Sequence, residues 1–194
     1  MKQISWRLGA LFTILAVLSG CASEDTNPKV EVQFHEMIPD ETVVRIDDYI
    51  ENTVSLGIEA NETEEGKKDE VDILAFPFIA QKITVEIGAA RTVDILIANE
   101  DYMVNILNQG GLVSLDDLYE GEEPPEEWKP YVREDPESGE SHLFAVPLTE
   151  DTRMFNELEL RPTRPLLALI PIFSNVPEEA KEVLKVMAEP VESE

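Results

Sequence analysis

A single cysteine, Cys21, closes an apolar run at the start of this chain, and no other cysteine occurs among its 194 residues. A fold built from this sequence has no internal disulfide and must hold together by packing. The run, Leu8 to Leu18, is preceded by Lys2 and Arg7 and followed by Ser19 and Gly20. It is too short to cross a bilayer as a helix, which takes about 20 apolar residues. A positive front, a short apolar middle and small terminal residues are the parts of a targeting leader that is cut away. An ordinary secretory leader or a buried core helix would share the apolar run without the small residues that lead into a cysteine. Residues 1–20 are read as leader, 21–28 as a small, acidic tether, and 29–194 as one domain.

Charge narrows the partners. Both basic residues before Cys21 belong to the leader and none of the 41 acids does, so residues 21–194 hold 13 bases against 41 acids, a net charge of −28. Such a field repels phosphate backbones and anionic headgroups, which excludes nucleic acid as a partner. A hydrophobic content of 43% is nonetheless that of a globular protein.

Periodicity then sorts the elements. Residues 29–35 alternate, with Val30, Val32 and Phe34 on one face, as in a half-buried strand near the tether. Residues 43–58 carry Ile46, Ile50 and Val54 at helical spacing. A charged loop, Asn61 to Glu70, precedes a strand expected at Val71–Phe76. Residues 81–87 fit two patterns. Ile83, Val85 and Ile87 alternate as in a strand, and β-branched propensity leans that way, whereas Ile79, Ile83 and Ile87 have helical spacing. Thr92–Ala98 is apolar enough to be buried on both faces. Asn99 can cap a following helix, with Glu100 and Asp101 in its first turn and Gly110 closing it. Residues 120–140 are acidic and proline-rich, an excursion with no core of its own. Strands follow at Leu143–Leu148 and Leu166–Phe173. Asn175 and Glu178 fit a capping box for a last helix, with Ala180, Val183, Leu184 and Met187 on its buried face. Strands alternating with helices indicate an α/β domain, a layered sheet with flanking helices.

Two resemblances follow from particular residues. Leu18-Ser19-Gly20-Cys21 resembles the lipobox of bacterial lipoproteins, which implies a lipid on Cys21 and attachment to the cell membrane on its extracytoplasmic side. Three further patches are similar to extracellular solute-binding proteins of ABC importers. They are Asp94–Tyr102 with Leu107–Leu118, then Ser141-His-Leu-Phe-Ala-Val-Pro-Leu-Thr149, and Leu166–Ala188. Members of that family close two lobes on a ligand, but here Leu158 follows Thr149 almost at once, where most of a second lobe would be inserted. The resemblance therefore implies one lobe of a periplasmic-binding-protein-like fold. It further implies a small-molecule or sugar ligand and a permease or other membrane protein as partner.

The residues offer few catalytic sets. His35 and His142 are the only histidines, and neither has a second ligand at metal spacing. Each is read as a strand residue with a solvent or backbone partner. No nucleophile motif or phosphate-cradling glycine loop is present, so no catalytic residue, cofactor or metal site is assigned. Asn61, Thr63, Glu65, Gly66 and Asp72 match a calcium-loop pattern loosely, and Lys67 and Lys68 would oppose the cation. In open α/β sheets ligands sit outside the carboxyl ends of strands. That places the candidate ligand-binding residues at Asn99, Glu100 and Asp101 and at Thr149, Glu150 and Asp151. Trp128, with Tyr131, offers an aromatic platform of the kind used for sugars, or else pins the acidic loop to the domain. Two functions stay open: a solute-binding or accessory part of an ABC import system, and a surface interaction module that has lost its ligand.

Overall fold

The computed structural model describes residues 29–56, 70–119, 123–135 and 138–191. The leader, Cys21 and the tether lie outside them, as does the calcium-loop pattern apart from Asp72.

Five strands form the main sheet: β1 (Val30–His35), β2 (Val71–Ala75), β3 (Ile95–Asn99), β6 (Val146–Leu148) and β7 (Leu166–Leu169). Their spatial order is β2-β1-β3-β7-β6. β1 pairs in parallel with β2 and β3, while β7 is antiparallel to both β3 and β6. A separate hairpin pairs β4 (Val132–Glu134) with β5 (Ser141–Leu143). Helices α1 (Asp40–Thr53) and α2 (Ala80–Val85) make the two crossovers between parallel strands. The first moves outward from β1 and the second passes back over it. Right-handed connections therefore put these helices on opposite faces of the sheet. Helix α5 (Pro177–Ala188) packs on α1 and on the short α4 (Arg153–Glu157). Helix α3 (Glu100–Leu107) lies on the α2 side, where the Tyr102 hydroxyl donates to the Ala80 carbonyl at 3.1 Å. The result is an α/β fold, a sheet layered between helices.

Several expectations change for identifiable reasons. β1 is not half-exposed: it lies between β2 and β3, and even Gln33 and His35 are buried. The ambiguous stretch is helical, because a chain passing from β2 to a parallel β3 must cross the sheet face. Ile83 enters the core there, and a π-helical turn, Glu86–Ala90, ends at Arg91 with φ 55°. The strand expected at Leu143–Leu148 divides, since Leu143 pairs with Val132 in the hairpin and Val146 with Ala168 in the main sheet. β7 stops at Leu169, short of Phe173, just ahead of Pro171, which has no N–H to donate. The capping box does not form. Val176 is the N-cap of α5 and Pro177 its first residue, which leaves Asn175 outside the helix and exposed. Ser174 Oγ accepts from the Val176 N–H at 3.3 Å instead. The cap on α3 forms as expected: Asn99 Oδ1 accepts from the Tyr102 N–H at 3.1 Å.

Polar side chains run along one face of β1. Gln33 Nε2 donates to Glu31 Oε1 at 2.6 Å, and His35 Nε2 lies 3.2 Å from Gln33 Oε1. Asp94 ties this row to the entrance of α5, accepting from the Glu31 N–H at 3.0 Å and from Ser174 Oγ at 2.6 Å. Its carboxyl is held above the usual carboxylate range, chiefly by burial.

Two outcomes test this core. Val32→Asp and Leu96→Asp should each cost about 3–5 kcal/mol, because both place an unpaired charge on a covered central strand. Val44→Asp, at a site 60% exposed on α1, should cost little. Urea melts of the three variants measure the contrast. The second outcome concerns His35, whose imidazole is pushed down to about 4 by burial and then by Lys82. A neutral, buried histidine contributes stability in full above its unfolded value of about 6.5 and loses it as pH falls towards 4. Wild type should therefore lose on the order of 3 kcal/mol more than His35→Met across that window.

Candidate functional site

β1, β2, β3 and β6 all end at one edge of the main sheet, where β7 begins. A cleft of 560 Å³ opens at this carboxyl edge. Glu100 enters it as the first residue of α3, directly after the Asn99 cap, and its backbone N–H is fixed to the Pro165 carbonyl at 3.0 Å. Thr149 and Asp151 follow β6 in a tight turn. Thr149 Oγ1 accepts from the Asp151 N–H at 3.2 Å, and Thr152 Oγ1 donates to the Thr149 carbonyl at 2.7 Å.

The opposite wall comes from the acidic excursion. Trp128 caps a single 3₁₀ turn, Lys129–Tyr131, that Tyr131 ends, and both are more than nine-tenths buried. They pin the excursion to the domain and line the cleft at once. The Tyr131 hydroxyl donates to Glu100 Oε1 at 2.8 Å, joining the two walls. Burial, followed by the Glu100 carboxylate, drives the Tyr131 phenol far above its ordinary value, so it stays a donor. Pro147, Pro165 and Pro190 add rigid apolar surface.

Of the seven candidate ligand-binding residues, Glu100, Trp128, Thr149 and Asp151 meet in this cleft. The other three lie elsewhere. Asn99 is buried and spends its side chain on the α3 cap. Asp101 is exposed on α3, outside the lining. Glu150 turns outward, 3.6 Å from Arg161 Nε. Glu127 and Thr152 line the cleft but carried no signal of their own beyond adjacency to Trp128 and to the Thr149 turn.

A second cleft, of 630 Å³, lies on the other side of α3 at its carboxyl terminus, beside the β4–β5 hairpin. His142 lines it, held by a side chain rather than by solvent or backbone: its Nδ1 is 2.6 Å from Asp116 Oδ2. The hydrogen bond to that carboxylate raises the His142 imidazole above its usual value. Asp116 Oδ1 also accepts from the Leu143 N–H at 2.8 Å, so the pair braces the hairpin. Among the described residues no three histidine, cysteine or acidic side chains gather as a metal site. No described helix is long and apolar enough to cross a membrane.

No family model matches this chain, and no solved structure matches it. A protein of Bacillus subtilis (strain 168) named "Putative lipoprotein YteS" is 28% identical over 119 residues, which span 61% of this chain and 66% of that relative.

Proposed function

We propose that this chain is a bacterial lipoprotein, cut before Cys21, lipidated there, and held on the extracytoplasmic side of the cell membrane. In this reading its α/β domain binds a small polar solute at the carboxyl edge, as a solute-binding or accessory part of an ABC import system. The lipoprotein half rests on Leu18–Cys21 and on the name of the Bacillus relative. One observation carries the binding half. Residues from three separate segments, Glu100, Trp128 and the Thr149–Asp151 turn, converge on a single cleft at the edge where open α/β sheets bind ligands. The proposed role is binding rather than catalysis, and the partner in transport is a permease.

A second reading, a surface module that pairs with another protein, draws on the same edge. Met37, Phe78 and Ile79, just beyond β1 and β2, are 78%, 41% and 48% exposed. Apolar side chains gathered at one edge suit a protein contact.

Cys21→Ala should release the protein from the membrane fraction or leave it with its leader attached, and membrane retention after a carbonate wash equal to wild type contradicts the anchor. Trp6 lies in the leader, so Trp128 is the sole tryptophan of residues 21–194 and its fluorescence reports on the cleft alone. A bound solute should shift that emission. Tyr131→Phe, which removes the donor to Glu100, should weaken binding about tenfold. Silence in titration calorimetry against sugars, oligosaccharides and peptides sinks the binding reading and favours the surface module.

A further inference from the structure

His35 ends β1 fully buried, and only one of its ring nitrogens is bonded. Gln33 Nε2 donates to Glu31, which leaves Gln33 Oε1 to face His35 Nε2 at 3.2 Å. An amide oxygen only accepts, so the imidazole proton sits on Nε2 and Nδ1 is bare. That Nδ1 has no partner among the described residues. A second proton can enter only there, where it meets no acceptor.

The imidazole packs on Phe76 at 5.7 Å between ring centres, and the Lys82 ammonium of α2 lies 3.2 Å from the centre of Phe76. Other titratable groups on the surrounding elements are engaged elsewhere or exposed. Glu31 and Asp94 are bonded within the polar row, and Glu86 is 3.5 Å from Thr92 Oγ1. Arg91 lies over Phe173, Tyr102 donates to Ala80, and Glu100 accepts from Tyr131. Asp72 and Asp101 are exposed. Lys82 is the charge that acts on the imidazole, and it opposes a positive one.

The segment that carries Lys82 is lightly held. Of the six residues of α2 only Ile83 is buried, and its π-helical turn buries none. Phe78, Ile79 and Val85 are 41%, 48% and 55% exposed. Beyond Ile83, the Tyr102 hydroxyl on the Ala80 carbonyl and the Tyr102 ring against Phe78 tie it to α3. Local opening starts in segments with so few buried contacts, whereas β3 is buried throughout.

We infer that His35 is an acid-sensitive latch: taking up a proton releases α2 and its π-turn while β1, β3 and β7 stay paired. The opening lets water reach Nδ1 and carries the Lys82 ammonium away from the new charge. It also moves Phe78 and Ile79, so the apolar edge is presented differently in acid. The latch is independent of whether the carboxyl-edge cleft takes a solute.

The test is hydrogen exchange on the full mature chain at pH 7 and pH 5, corrected for the intrinsic effect of pH. With the imidazole at about 4 when closed and about 6.5 once solvated, the open population rises about twentyfold over that interval. Amides of residues 76–91 should therefore lose about twentyfold in protection, while staying less protected than those of β3 at both pH values. His35→Gln, which still donates to Gln33 but takes no second proton, should abolish the change. Lys82→Met should raise the midpoint of the His35 ring-proton titration followed by NMR. Protection of residues 76–91 that equals that of β3, or that does not change with pH in wild type, overturns the latch. So does a twentyfold loss retained in His35→Gln, or an unmoved midpoint in Lys82→Met.

Discussion

The residue pair at the end of β3 governs how the carboxyl edge is built. β3 is the middle strand of five, bonded on one side to parallel β1 and on the other to antiparallel β7, so every backbone group finds a partner in the sheet. Its five residues can then be fully buried without orphaned polar atoms. At Asn99 the ladder ends and the side chain takes over, capping α3 within three residues. Glu100 is therefore held at the cleft by two fixed neighbours, the cap behind it and the Pro165 carbonyl beside it. The Tyr131 hydroxyl then hangs the acidic excursion on this carboxylate.

That arrangement turns a liability into structure. A proline-rich stretch with few apolar residues cannot fold alone, but Trp128 and Tyr131 supply enough buried surface to fasten it. The carboxylates around them are spaced by Lys129, which draws Glu123 and Glu126 together at the rim. The pair is exposed and contributes little to stability. Both of its carboxylate partners lie outside the cleft lining, whose own acids are Glu100, Glu127 and Asp151.

Much of the fold was legible where local and global preferences agree. Thr92–Ala98 reads as a buried strand because its composition suits burial on both faces, and Asn99 reads as a cap because its first-turn neighbours are acidic. The alternation in β1 misled on exposure: Gln33 and His35 are polar yet buried, because they bond to one another along the strand. Residues 81–87 show tertiary context overriding propensity, since the need to cross the sheet outweighs β-branching. The Asn175 cap failed by one residue, because Pro177 fixes the helix start after Val176. At the site, the strand-end rule picked out Glu100, Thr149 and Asp151 but could not separate them from Asp101 and Glu150, whose direction depends on helix phase and on Arg161. Glu127 was indistinguishable among many acids in the sequence.

The direction of β1 has a consequence for how such a domain would meet its surroundings. β1 starts at the edge of the sheet opposite the cleft. With Cys21 anchored as proposed, eight residues separate it from Val30, a reach of about 30 Å when fully drawn out. In that proposal the anchor and the cleft lie at opposite edges of the sheet, so the start of β1 would be the end nearer the bilayer. The number of residues between Cys21 and Val30 would then set how far the cleft can stand from the surface that holds the anchor.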